Sequence, residues 1–220
     1  MTMNLFTIFD PSTSLKLSFN WISLLMPMIL IPKMYWLTPS KIQSIFNLIN
    51  MKMFNEYKNL SNKYFTNIFM FNKLMMFILL LNFMSLMPYI FNSTSHMSVT
   101  MSMSLPIWMT LMLYGWIKKF NMMLYHMVPK NTPTLLMPLM VLIETISNLI
   151  RPLTLSIRMS ANMIAGHLLM SLISNQFYNN MNLFMMILLI QTLLMILEMS
   201  VNCIQAYVFS TLSILYSNEI

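Results

Sequence analysis

Two arginines, Arg151 and Arg158, lie inside a long hydrophobic run and are the only arginines in the chain. A guanidinium stays protonated at any accessible pH, and placing one at membrane depth costs between about 3 and 15 kcal/mol. The surrounding residues must therefore offset that cost. We expect an ion pair, contact with water, or both.

Further polar residues lie on the same side of a helix through this region. At about 100° per residue, the stretch 144–162 places five polar side chains on one face. They are Glu144, Asn148, Arg151, Arg158 and Asn162. Lipid cannot solvate such a face, so it must meet protein or water.

The next hydrophobic segment carries a second polar stripe. It consists of Gln191, Glu198, Asn202 and Gln205. On a helix these four side chains lie within about 60° of one another. His167 lies about 140° from the arginine face, and we expect it to point toward this returning segment. Imidazole titrates near neutral pH, so a histidine beside a carboxylate suits a proton relay.

Two interpretations of these polar residues remain open. The asparagines and glutamines can simply join helices, because polar groups often hydrogen-bond between membrane helices. Ionisable groups in a bilayer are costly and usually mark ion or proton paths. For Arg158, Glu144, Glu198 and His167 we favour the second interpretation. The spacing alone does not distinguish Arg151 from Arg158.

Other chemistries have little support in the residue pattern. The single cysteine, Cys203, cannot form an internal disulfide, and no histidine or cysteine pair has the spacing of metal ligands. The two glycines, Gly115 and Gly166, form no phosphate-binding loop. We therefore expect no metal, cofactor, nucleotide or nucleic acid on this chain. His96 and His126 lie in or beside loops and are interpreted as ordinary surface residues.

The composition is that of an integral membrane protein. Of the 220 residues, 58% are hydrophobic and only 8% are charged, against about 25% charged in soluble domains. The net charge of +7 arises from lysines in short loops beside apolar spans, which is a topology signal. Thirty methionines and two glycines are typical of an AT-rich animal mitochondrial genome.

The pattern predicts an all-α polytopic fold in a single domain, with five membrane helices and one amphipathic surface helix. The predicted elements are an N-terminal segment (1–16), a first membrane helix (17–37), the surface helix (38–66), and membrane helices over 69–91, 99–117, 134–173 and 182–216. The last two exceed the roughly 20 residues needed to span a bilayer, so we expect a strongly tilted hairpin. Lysines crowd the segment 38–73 and the loop that follows the helix 99–117, at 118–133. These two basic regions share one side, assigned to the matrix or cytoplasm.

Two sequence blocks carry a close resemblance to a known family. IETISNLIRPLTLSIRMSANMIAGHLL at 143–169 and ILEMSVNCIQAYVFSTLSILY at 196–216 resemble subunit a of the F-type ATP synthases, in the mitochondrial form. The number of spans, the surface helix and the chain length agree with that family. The N-terminal third matches only in architecture.

The resemblance implies roles for individual residues. The essential arginine of the family falls on Arg158, in IRMSANM, and its proton-loading pair falls on His167 and Glu198. Gln205, Asn162 and Glu144 match the family's conserved glutamine, the arginine's neighbour and the matrix-side acid. Arg151 falls where the family varies. We regard it as a secondary candidate, together with Asn148 and Asn202.

The resemblance also implies a function, partners and a location. The chain would be the proton-conducting stator subunit of the Fo sector in the mitochondrial inner membrane, itself without a catalytic centre. Two aqueous half-channels would load and unload carboxyl groups on a rotating ring of c subunits. Its partners would be that ring, other Fo stator subunits, protons and membrane lipids. Two alternatives remain: a self-contained ion or solute transporter, and a purely structural assembly subunit.

Overall fold

A computed structural model describes residues 5–14, 17–32, 36–61, 65–128, 133–179 and 184–219. Within these ranges the chain is helical and contains no strand. Its α-helices are α1 (Met26–Leu30), α2 (Lys41–Leu60), α3 (Phe65–Ser85), α4 (Met97–Lys118), α5 (Phe120–Met127), α6 (Met137–Asn179) and α7 (Phe184–Glu219). Short 3₁₀ helices cover Leu5–Phe9, Phe19–Leu24, Ser93–Ser95 and Thr134–Leu136.

Four helices are long and apolar enough to cross a membrane. These candidate spans are Asn67–Ser85, Met97–Lys118, Met137–Asn175 and Phe184–Asn218. The all-helical membrane fold is therefore confirmed among the described residues. The predicted first membrane helix over 17–37 differs, because the apolar helical stretch there covers only Phe19–Leu30.

Two prolines explain why that first segment is broken. Pro27 occupies the first turn of α1, where a missing N–H costs no hydrogen bond. Ile31 precedes Pro32 and is extended, with φ −65° and ψ 112°, as steric contact with a following proline ring favours. Helix α1 therefore ends at Leu30, well short of the predicted boundary. Residues 33–35 of the predicted helix lie outside the described part.

Helix α2 corresponds to the predicted surface helix but is shorter than 38–66. It begins with a capping box, in which the Ser40 hydroxyl accepts from the Gln43 amide and the Gln43 side chain accepts from the Ser40 amide. This arrangement satisfies two backbone donors that the first turn would otherwise leave unpaired. Ile42 and Ile45 remain exposed on its apolar face, whereas Tyr57 is fully buried.

The central helices differ from prediction mainly at their ends. Helix α3 ends at Ser85 and not at 91, before a turn that contains Pro88 and Tyr89, the latter with φ 66°. Helix α4 closely matches the predicted 99–117. The predicted loop over 118–133 contains helix α5, which sequence reasoning missed. Its 8 residues show a one-sided apolar pattern too short to separate from loop.

The last two helices are the longest elements, with 43 residues in α6 and 36 in α7. At about 1.5 Å per residue, α6 is about 64 Å long, roughly twice the thickness of a bilayer core. It continues beyond 173 to Asn179, so much of the predicted turn over 174–181 is helical. Pro152 is accommodated inside α6.

Helix α3 packs mainly against α7, and two clusters show how these helices are aligned. At one end Ile68 and Ile214 share a buried cluster with Tyr57. In a second cluster Ile78 packs with Ala206 of α7 and with Met159 of α6. From the first cluster to the second, the residue number rises along α3, from Ile68 to Ile78, and falls along α7, from Ile214 to Ala206. Helices α3 and α7 are therefore antiparallel.

Candidate functional site

The two arginines of α6 have different surroundings. The Arg151 Nη2 lies 3.9 Å from the Glu144 Oε1, and the Arg151 guanidinium lies 5.0 Å from the centre of the Tyr216 ring. Both partners of the ion pair are partly exposed. An ion pair, one of the two expected ways of offsetting an arginine charge in the membrane, is thus present at Arg151. An ion pair and a cation–π contact together offset the burial of this charge.

Arg158 lies two turns further along α6, on the same face as Arg151, and is exposed. It makes no ion pair with any residue that the structure describes. The Gln205 Nε2 donates to the Arg158 carbonyl oxygen at 3.1 Å, which joins α7 to α6 at this level. The guanidinium borders a cleft of about 180 Å³ between the two helices. Arg158 is therefore held by its backbone while its charge faces outward.

Asn162 follows Arg158 by one turn and is also exposed. It borders the cleft of Arg158 and a second cleft of about 210 Å³ that contains Glu198. One asparagine thus links the surroundings of the arginine with those of the carboxyl. Asn148, nearer the start of α6, is half-buried.

Glu198 approaches α6 where that helix has no side chain. A Cβ built on Gly166 would lie 2.5 Å from the Glu198 Oε1 and 2.7 Å from its Cδ. Glycine therefore gives the carboxyl the room to pack against the α6 backbone. The Glu198 Oε2 is buried without a hydrogen-bond partner among the described residues.

His167 does not face α7 as predicted. Its described polar neighbour is the backbone of Ser85, at the end of α3. The His167 Nε2 is buried and has no hydrogen-bond partner in the described ranges. His167 and Glu198 thus lie at one level of the bundle on different sides of α6, because Gly166 is the residue that faces α7.

Two further members of the α7 stripe are buried. Asn202 is 3% exposed and Gln205 is 7% exposed, and each has a buried side-chain atom without a described partner. Gln191 is half-buried. The stripe predicted from spacing therefore does face the interior of the bundle.

Sequence reasoning missed the polar residues of α3. Asn82 and Ser85 are buried at 0% and 3% exposure, on the side that meets α6 and α7. A signal was available, because an asparagine and a serine three residues apart interrupt an otherwise apolar span. Helical spacing gave no reason to connect them with the distant polar stripes.

The prediction that His96 is an ordinary surface residue is wrong. Its ring lies 5.2 Å from the Trp21 ring and 5.3 Å from the Phe91 ring, and its Nε2 is buried. This contact ties the 3₁₀ helix Phe19–Leu24 to the turn before α4. The side chain of His126 lies outside the described part of the chain.

Comparisons with known proteins agree with this arrangement. The model of the ATP synthase A chain family matches residues 17–218. The chain is 52% identical over 224 residues to ATP synthase subunit a of Locusta migratoria. It is 48% identical over 223 residues to that of Drosophila yakuba and 47% identical over 225 residues to that of Aedes aegypti. In all three cases the whole of both chains is covered. A family match over almost the full length, together with these relatives, shows that the chain belongs to the ATP synthase A chain family.

Proposed function

We propose that this chain is the proton-conducting stator subunit of the Fo sector of an ATP synthase. It lies in the mitochondrial inner membrane as a multi-pass protein and conducts protons between two aqueous half-channels. These half-channels load and unload carboxyl groups on a rotating ring of c subunits, so that proton flow drives rotation and ATP synthesis. Family membership supports this role, and the outward-facing charge of Arg158 is the observation that carries it.

The finer architecture belongs to the same proposal. The segment 17–37 makes a fifth crossing with the help of its neighbours, and α6 and α7 form a strongly tilted hairpin against the rotor. The length of α6 supports a tilt, because a helix of about 64 Å cannot stand upright in a hydrocarbon core of about 30 Å. Helix α2 lies at the matrix surface. The ring and other stator subunits complete the assembly.

Arg158 separates the two half-channels. Its permanent charge favours the deprotonated form of a passing rotor carboxyl and prevents a proton from leaking directly between the channels. Gln205 fixes the α6 backbone at this level through its bond to the Arg158 carbonyl. Asn162 lies beside the arginine and extends the polar surface toward the rotor.

The two half-channels use the remaining ionisable residues. Protons from the intermembrane space reach the rotor by way of His167 and Glu198. They leave on the matrix side near Glu144, which Arg151 holds by an ion pair. Asn148 and Asn202 are secondary members of these paths. Each elementary charge that crosses about 100 mV supplies roughly 2.3 kcal/mol to rotation.

The deciding experiment compares two arginine variants in the assembled ATP synthase. We expect Arg158→Ala to abolish ATP synthesis driven by an imposed proton gradient, with normal assembly of the complex. Arg151→Ala is the matched control, for which we expect a measurable rate to remain. Normal synthesis by the Arg158→Ala complex would overturn the proposal.

Two further outcomes would identify the alternatives. Ion transport by the purified chain alone, without a c-ring, would indicate a self-contained transporter. Normal proton flux in complexes with both His167→Leu and Glu198→Gln would indicate a purely structural subunit.

A further inference from the structure

Asn82 is a fully buried polar side chain of α3 that the proposed proton paths do not use. It is 0% exposed, and neither its Oδ1 nor its Nδ2 has a hydrogen-bond partner among the described residues. A buried polar group that is left unpaired costs about 1–3 kcal/mol. Folded proteins usually satisfy such groups with ordered water when no protein partner is available.

The register of α3 and α7 brings a second unpaired amide to the same level. Ile78 packs with Ala206, and the two helices are antiparallel. Asn82 lies one turn beyond Ile78, and Asn202 lies one turn before Ala206, so both occupy adjacent positions. Asn202 is 3% exposed and its Nδ2 also has no described partner. The register therefore brings two buried amides to one level of the contact between α3 and α7.

One end of this site leads to His167. The Ser85 hydroxyl donates to the backbone carbonyl oxygen of Asn82 at 2.7 Å. It also lies 3.6 Å from the Met163 sulfur. The backbone of Ser85 is in turn the polar neighbour of His167. Asn82 thus lies about one helical turn from the residue of α3 that neighbours His167.

The other end leads to Glu198. Asn202 lines the cleft of about 210 Å³ that also contains Glu198, Gly166 and Asn162. A water molecule takes up about 30 Å³ in the liquid, so a cleft of this size has room for several. An amide can donate and accept at once, which lets it orient water on both sides.

We propose that Asn82 and Asn202 form an internal water-binding site that connects the contact between His167 and Ser85 with the cleft at Glu198. This inference rests on the proposed function and adds two positioning residues to it. The amides do not exchange protons themselves. They hold water in a chain, so that a proton taken up at the histidine end is matched by one released at the carboxyl end.

The test uses the complete ATP synthase reconstituted in liposomes. ATP synthesis under a fixed imposed proton gradient is measured in H₂O and D₂O and normalised to assembled complex. The variants are Asn82→Leu and Asn202→Leu, which replace an amide by an apolar group of similar size, and Asn82→Ser, which keeps a polar group and leaves room for water. Asn72→Leu is the matched control, because Asn72 is buried in the same helix and its Nδ2 donates to the Asn50 backbone carbonyl, although its Oδ1 also has no described partner.

We expect Asn82→Leu to lower the rate at least about tenfold and to raise the ratio of rates in H₂O and D₂O, because proton transfer becomes rate-limiting. Asn202→Leu should change both quantities in the same direction. Asn82→Ser should retain a rate within about threefold of wild type, and Asn72→Leu should leave the isotope ratio unchanged.

Several outcomes would overturn the inference. A wild-type rate and isotope ratio in Asn82→Leu would do so, as would an equal loss in Asn72→Leu with no isotope change in either variant. If Asn82→Leu does not assemble, an unchanged isotope ratio in both Asn82→Ser and Asn202→Leu overturns it. Loss of synthesis in Arg158→Ala with normal Asn82→Leu rejects only this inference, whereas normal synthesis in Arg158→Ala rejects the proposed function.

Discussion

The two halves of α7 use polar residues in opposite ways. Up to Gln205, the buried side chains of Glu198, Asn202 and Gln205 each contain an atom without a described partner. Beyond Ala206, Ser210 is hydrogen-bonded to the Tyr57 hydroxyl, and the Asn218 Nδ2 donates to the Leu60 carbonyl at 2.8 Å. The polar groups of the second half join helices, whereas those of the first half border the two clefts.

The neighbours of α7 account for this difference. Its second half is covered by α2, whose polar groups reach across to it, and by the apolar cluster around Ile68. Its first half faces α6 across two clefts that no described side chain fills. The same helix therefore combines a fixed end with an end that borders open clefts. We infer that the fixed end keeps the other end aligned with α6.

The largest effect is expected from filling the space beside Glu198. In Gly166→Ala, the new methyl group would lie 2.5 Å from the Glu198 Oε1 and must displace the carboxyl. A shift of about 1 Å in a reacting group can lower a rate about 100-fold, so we expect ATP synthesis to fall by about 10- to 100-fold with assembly retained. Synthesis rates of the reconstituted complex measure this effect.

Ala161→Ser, at an exposed position of α6, is the control for Gly166→Ala and should behave as wild type. A wild-type rate in Gly166→Ala would show that the position of Glu198 does not matter, and would remove the distinction between the two halves of α7.

The next effect concerns the fixed end at high pH. Burial raises the pKa of Tyr57 from 10.0 to about 12, although its hydrogen bond with Ser210 acts in the opposite direction. Because the folded state prefers the neutral phenol, this contribution to stability is complete below pH 10 and is lost as the pH rises toward 12. We expect α2 to separate from α7 over that range.

Phenolate absorbance, taken as the difference between wild type and Tyr57→Phe, measures this titration. Tyr114→Phe serves as the control, because Tyr114 is exposed. If Tyr57 titrates with the pKa of a free phenol, the contact between α2 and α7 is open to water. The second half of α7 would then not be a fixed end.

The smallest effect is expected at the start of α2. Ser40→Ala removes the hydroxyl that accepts from the Gln43 amide and should destabilise the first turn by about 1 kcal/mol. Hydrogen exchange of the first α2 amides should become about fivefold faster, with ATP synthesis unchanged. Ser44→Ala is the control, since its hydroxyl bonds only to the Lys41 carbonyl. Equal exchange in both variants would show that the capping box contributes nothing.

Much of the candidate site could be predicted from the sequence because it lies on two long helices. A spacing of about 100° per residue was enough to place Glu144 beside Arg151, and to bring Gln205 to the interior of the bundle. Both results depend only on the period of one helix. The distinction in role between Arg151 and Arg158 came from the family motif around Arg158. The different surroundings of the two arginines are consistent with that distinction.

The rest depended on packing that no single helix encodes. The helical period gives the direction in which His167 points from α6. It does not say which helix lies in that direction, and the structure places the end of α3 there. Asn82 joins the site only through the antiparallel register of α3 and α7. His96 was assigned to the surface because it follows a polar turn, whereas aromatic contacts from the distant Trp21 cover it. The prediction of the first membrane helix was wrong at Pro32. The effect of this proline on Ile31 is local and could have been predicted.

The contact between Gly166 and Glu198 also has an evolutionary consequence. Glycine codons begin with two guanines, and a genome biased toward A and T tends to lose them. This chain has 220 residues and keeps 2 glycines, one of them where any side chain would collide with a carboxyl. The need for room beside Glu198 would oppose such a bias at Gly166. Other residues of this protein that resist the same drift are the first places to look for contacts with its partners.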